Sequence, residues 1–174
     1  FRLSPDGRIL TGPSSIYTDG FAILGLSELY RATGDEHVLA LALETFEQVR
    51  PRLEHWSEME TAPYDIPSGM KAHAVSMIYS HVFDTLSEVT ADSRVADAAA
   101  YHSREVMDHY LRPDRGLVHE YVSLDNTTAD TPAGRAVVPG HAIGSIWMQI
   151  HHLRSHTPIC SYHASRKAPF PLPA

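Results

Sequence analysis

The chain is 174 residues long, with 43% apolar and 20% charged residues, a formal net charge of -7 and a mean hydropathy of -0.21. That balance describes one folded domain, able to bury roughly 70% of its unfolded surface, and excludes a disordered or membrane-spanning chain. The acidic pI near 5.9 leaves no concentrated basic patch, so no nucleic-acid partner is expected. A single cysteine, Cys160, excludes an internal disulfide framework and suits a reducing, cytoplasmic compartment. The first residue is Phe1, not methionine, and the chain reads as a fragment or a processed product.

In chain order, Phe1–Leu10 has apolar residues on both sides of Pro5-Asp6-Gly7 and predicts a short hairpin. A helix capped by Thr18 or Asp19 should follow, carrying Phe21, Leu24, Leu26, Leu29 and Tyr30 and stopping at Gly34. Asp35 caps a second helix, apolar almost all round and therefore expected to pack on more than one side, which ends at Pro51. Arg52–Ser68 holds Pro63 and Pro67 without periodic signal and reads as a long connection.

A third helix is expected from about Met70 to Val89, with Val75, Ile78, Val82, Phe83 and Leu86 facing the core. Asp92 caps a fourth, which Pro113 stops. Gly116–Leu124 alternates apolar and polar residues and predicts short extended pairing. Thr33-Gly34-Asp35 is echoed by Thr90-Ala91-Asp92, each between two helices, so one helix-turn-helix unit occurs twice. Stacked helical hairpins of this kind build either solenoids or closed α/α toroids.

The stretch that most resembles a chemical site is Thr131–Trp147, TPAGRAVVPGHAIGSIW. Pro139 suits the first position of a helix and Gly140 permits close backbone approach, so His141 falls in the first turn. The positive end of a helix favours the neutral imidazole that a general base needs. Along this fifth helix Ile143, Ile146, Trp147, Ile150 and Leu153 form one apolar stripe, the side by which a helix packs. His141, Gly144, Ser145 and Met148 are left on another face with room above it. His151, His152 and His156 lie close together and His152/His156 has i,i+4 spacing. No ligand other than Cys160 stands near them in sequence, and no metal or other cofactor is expected.

Thr131, Pro132, Gly134, Arg135, Pro139, Gly140, His141, Ala142, Ile143 and Trp147 together resemble the loop-helix signature of the N-acylglucosamine 2-epimerase family, to which the renin-binding proteins belong. Phe1–Gly34 and Met70–Ile78 resemble the same family, so the likeness covers residues 1–153. It implies an all-α, (α/α)6 toroid around a sugar pocket, present here as an incomplete portion with short β-hairpin loops. It also implies proton transfer at C2 of a ring-opened sugar through an enediolate, giving epimerisation or aldose-ketose isomerisation. By that resemblance His141 is the catalytic acid-base, and Arg135 and His73 contact the sugar.

Gly144 departs from the pattern, which has a glutamate there, and a second catalytic histidine belongs to a later helix that this chain lacks. The alternative is therefore a non-catalytic helical-repeat fragment or interaction module. An incomplete ring should expose its flanking hairpins and favour homo-oligomers. Residues 154–174, with four prolines and no helical stripe, read as an irregular or disordered tail, or as the product of a premature, shifted end to the reading frame.

Overall fold

The structure, a computed structural model, describes residues 2–12 and 14–156. The tail expected to be irregular lies, from residue 157, outside the described residues. Two short strands, β1 (Arg2–Leu3) and β2 (Ile9–Thr11), pair antiparallel across a turn in which Gly7 adopts φ 85°. Among the described residues five α-helices follow, joined by turns, loops and four further strand segments.

Helix α1 (Tyr17–Thr33) begins earlier than Thr18 or Asp19 would place it. Tertiary contacts set that start. The Ile16 N–H donates to Glu60 O at 2.7 Å, and its carbonyl accepts from Tyr79 Oη at 2.6 Å. Asp19 instead sits in the first turn, where it takes Arg52 Nη1 at 2.8 Å. At the other end Gly34 is left-handed, φ 67°, and its N–H closes on Tyr30 O at 2.7 Å.

Asp35 caps α2 (Glu36–Val49) by accepting from the His37 N–H, and Asp92 caps α4 (Ser93–Glu105) in the same way through Arg94. The sequence echo is thus a repeated cap. Helix α2 buries only Ala42, Phe46 and Val49, and Leu41 is exposed. It packs on one side, because it belongs to the outer layer and its far face meets solvent. Two 3-10 turns, Arg50–Glu54 and Trp56–Glu58, begin the long connection.

Met70–Ala72 is not helical. It forms β3, paired antiparallel with β6 (Tyr121–Ser123), and α3 (His73–Ser87) starts immediately after it. A backbone ladder to a strand about fifty residues away outweighs the modest helix propensity of three residues. After α4 a π-turn, Val106–Tyr110, leads into β4 (Leu111–Arg112), which pairs with β5 (Leu117–Val118). Helix α5 (Pro139–His156) closes the described chain.

Helix α3 is the axis of the fold, buried along nearly its whole length and packed against α1, α4 and α5. Helices α1, α3 and α5 form one layer. Helix α2 lies behind α1 and α4 behind α3, and the two outer helices are tied by Arg94 Nη1 and Glu47 Oε1 at 2.6 Å. The apolar core runs through Ile23, Phe46, Val75, Tyr79, Phe83, Leu86 and Val95, with Phe46 and Phe83 edge to face at 5.1 Å.

Helix α5 docks the other way round from its apolar stripe. Ile143, Ile146, Trp147, Ile150 and Leu153 are between 47% and 72% exposed, while Ser145, Gln149 and His152 are buried against α3. Hydrogen bonds explain the inversion. Ser145 Oγ meets His73 Nε2 at 3.0 Å, Gln149 Nε2 donates to Ser80 Oγ at 3.3 Å, and Ser103 Oγ donates to Gln149 Oε1. The buried seam of α5 is polar.

Candidate active site

The start of α5, the inner side of α1, the loop at 61–66 and β6 enclose an open cleft of about 1010 Å³. Tyr17, Phe21, Tyr64, Ala74, Tyr121 and His141 are among its lining residues. Aromatic faces beside a few polar groups suit a ligand with both C–H and hydroxyl surfaces.

Pro139 and Gly140 form the first turn of α5 as the sequence predicts, which puts His141 at the rim of this cleft, its side chain 40% exposed. His141 Nδ1 lies 2.8 Å from Glu120 Oε2. With the imidazole N–H donating to the carboxylate, the lone pair of the neutral ring is left on Nε2. Glu120 is almost completely buried. Burial pushes its carboxyl up, but hydrogen bonds from His73 and His141 outweigh that and hold it below the ordinary carboxylate range.

Backbone bonds fix the position of Glu120 from two sides. Its N–H donates to Ala136 O at 2.9 Å, and its carbonyl accepts from the His73 N–H at 2.8 Å. The first bond comes from the Thr-Pro-x-Gly-Arg loop, where the Gly134 N–H donates to Thr131 Oγ1 and any Cβ at Gly134 would stand 2.1 Å from Ala129 O. That glycine therefore has a steric reason, and the loop it closes holds the carboxylate behind His141.

His73 is 1% exposed and lies behind Glu120, with Nδ1 at 3.9 Å from Glu120 Oε2 and Nε2 on Ser145. Arg135 stands apart from this pair, exposed and engaged with Asp130. Thus the fold brings His141 and His73 onto one carboxylate and leaves Arg135 on the loop surface. Glu120 escaped the sequence reading. Its signal, one glutamate in an alternating segment, does not differ from that of a strand-end residue on a solvated face.

Around the carboxylate, burial first and then the Glu120 charge push the Tyr17 and Tyr121 phenols up, so both remain protonated donors near neutral pH. A cleft edge therefore carries one imidazole oriented by a buried carboxylate and two phenolic hydroxyl donors. Residues 1–164 match the N-acylglucosamine 2-epimerase family. The chain belongs to that family. It is 25% identical to human N-acylglucosamine 2-epimerase over 159 residues, which are 87% of this chain and 36% of the human protein. For the Rattus norvegicus enzyme of the same name the identity is 27% over 171 residues, 94% of this chain and 40% of the relative. The chain thus spans about two fifths of the length of these curated relatives.

The solved cellobiose 2-epimerase of Spirochaeta thermophila superposes with a TM-score of 0.68 at 20% identity, covering 87% of this chain and 40% of that one. The layered helices are accordingly an incomplete portion of an α/α barrel. Among the described residues no helix is long and apolar enough to cross a membrane.

Proposed function

We propose that the chain carries the proton-transfer site of a carbohydrate 2-epimerase or aldose-ketose isomerase, with His141 as general acid-base. The observation that carries the reading is the His141–Glu120 pair at the edge of an aromatic cleft, in a chain of this family. A ring-opened sugar presents a carbonyl at C1 and an acidified proton on C2. His141 Nε2 takes that proton, the electron pair moves into the C1–C2 bond and an enediolate forms. Glu120 stabilises the imidazolium through Nδ1, and Tyr17 and Tyr121 are placed to donate to the developing oxyanion. Return of the proton to the opposite face of C2 gives the epimer, whereas its return to C1, with the carbonyl re-forming at C2 as the O2 proton passes to O1, gives the ketose.

His73 belongs to this site through Glu120, which it helps to hold ionised, and Arg135 reaches a sugar hydroxyl only by leaving Asp130. The chemistry needs no metal or redox group. A sugar as substrate, a cytoplasmic location in keeping with the single cysteine, and a ring of six helical hairpins in the complete architecture belong to the same reading.

One observation favours a second reading, a non-catalytic fragment that associates with itself. The apolar stripe of α5 is exposed at the open edge of the inner layer, where a further helix or a second copy would cover it. A monodisperse monomer in sedimentation would contradict self-association.

The deciding experiment for activity is exchange of the C2 proton of N-acetylmannosamine, N-acetylglucosamine and mannose in deuterated water, followed by NMR. It is run on the chain and on its His141→Ala variant. Exchange registers a single working base, so it does not need a group on the opposite face. Exchange that vanishes in the variant is the expected outcome. Folded protein that exchanges none of the three sugars would sink the enzymatic reading and leave the fragment.

A further inference from the structure

Helices α3 and α5 meet a second time about 15 Å along α5 from His141, at 1.5 Å per residue. There Asp84 of α3, fully buried, is gripped by two consecutive imidazoles. His151 Nδ1 lies 3.0 Å from Oδ2 and His152 Nδ1 3.0 Å from Oδ1. Glu88 follows one turn later on the same face, open to solvent and paired with Arg31 at 2.9 Å. His81, one turn before Asp84, lies edge-on to His151 at 5.4 Å. No ligand was visible near His151 in sequence because the carboxylates come from another helix, 67 residues away in the case of Asp84.

We propose that Asp84, Glu88 and His151 form a binding site for a late first-row divalent cation such as Zn²⁺, clamping α5 to α3. One ligand atom from each lies within 4.8 Å of the others. Ligands of a tetrahedral zinc, each at about 2.0–2.2 Å, stand roughly 3.3 Å apart, so the present Asp84–His151 separation needs to widen by only a few tenths of an ångström. An imidazole with two carboxylates selects zinc, cobalt or nickel over magnesium or calcium. His152 supplies the outer partner that orients the Asp84 carboxylate through its second oxygen. The half-exposed His151 and exposed Glu88 leave an entry path and room for a water ligand.

Such a clamp acts on the same helix that delivers His141. Beyond Asp84, which also holds His152, α5 is hydrogen-bonded to α3 through Ser145 and Gln149. A cation at His151 therefore fixes the rotation of α5 and, with it, the rim of the cleft, without touching substrate.

The test is titration of the untagged chain with Zn²⁺ by calorimetry, paired with thermal melts. One equivalent bound and a raised Tm are expected. His151→Gln and Glu88→Gln should each weaken binding by about tenfold or more, whereas Arg31→Gln, by removing a cation paired with Glu88, should tighten it. Both weakening variants alter partly exposed groups, and their melts without metal show whether they fold. The His73, Glu120 and His141 group and, in sequence, Cys160 with His163 are rival zinc ligands, so His141→Ala and Cys160→Ser should each leave the binding unchanged. Absence of saturable binding, or binding that survives His151→Gln, overturns the proposal.

Discussion

The two flanks of α3 are built on different physics. Toward α1, α2 and α4 it presents Val75, Tyr79, Phe83 and Leu86 to Ile23, Phe46 and Val95, an apolar interface held by area and shape. Toward α5 it presents His73, Ser80 and Asp84 to Ser145, Gln149 and His152, an interface held by directed hydrogen bonds. The first flank has no chemistry to perform and packs as a core. The second carries the rim of the cleft, and its polar side chains hold imidazoles in fixed orientations that apolar packing would not specify.

The comparison breaks most visibly at Phe83, which touches Phe46, Tyr79 and His102 at ring distances of 5.1, 5.1 and 5.7 Å. Phe83→Ala removes a fully buried ring from the apolar flank and should destabilise the chain by about 3–5 kcal/mol. Denaturant unfolding measures it. A loss below about 1 kcal/mol would mean that the apolar flank is not where stability resides.

The same division explains what was legible in the sequence. Caps at Asp35 and Asp92, the stop at Gly34 and the turn at Pro139-Gly140 are local signals, and each appears in the fold where the residues put it. Helix α3 was readable as a helix with an apolar core face, but not the strand at Met70–Ala72, because that strand exists only through its partner β6. Apolar periodicity identified a stripe on α5 without saying that a polar seam, Ser145-Gln149-His152, would win the contact with α3. Glu120 and Asp84 were invisible for the same reason. Each gains meaning from histidines brought in by another segment, His141 and His73 in one case, His151 and His152 in the other.

Acid sharpens the contrast. On the apolar flank His102 is buried against Tyr79 and Phe83, and burial, aided by the Lys71 charge, pushes its pKa down to about 3 from 6.5. The unfolded chain takes up that proton more readily than the folded one. Stability is therefore complete above pH 6.5 and falls as pH drops toward 3, with a slope approaching about 1.4 kcal/mol per pH unit from this residue. Glu120, whose folded pKa is lowered from 4.5, adds a further loss only below that value. Denaturation midpoints from pH 7.5 to 5 measure, before the carboxylate contributes, the histidines whose pKa burial lowers, His102 together with His81 and His119. The slope should flatten in His102→Leu, and an unchanged slope would assign the acid sensitivity to other groups.

The smallest effect tests the inversion of α5 itself. If Ile146 and Ile150 formed the core face of that helix, shortening and polarising them would leave cavities and unpaired groups worth several kcal/mol. With both side chains at the open edge of the inner layer, Ile146→Gln and Ile150→Gln should each change monomer stability by no more than about 0.5 kcal/mol. The same variants should weaken self-association measured by sedimentation, since the stripe they interrupt is the apolar surface offered to a neighbour. A large loss of stability without any change in association would place the stripe inside the fold and the polar seam outside it. Neutral stability with weakened association keeps α5 docked through Ser145, Gln149 and His152, the orientation on which the position of His141 depends.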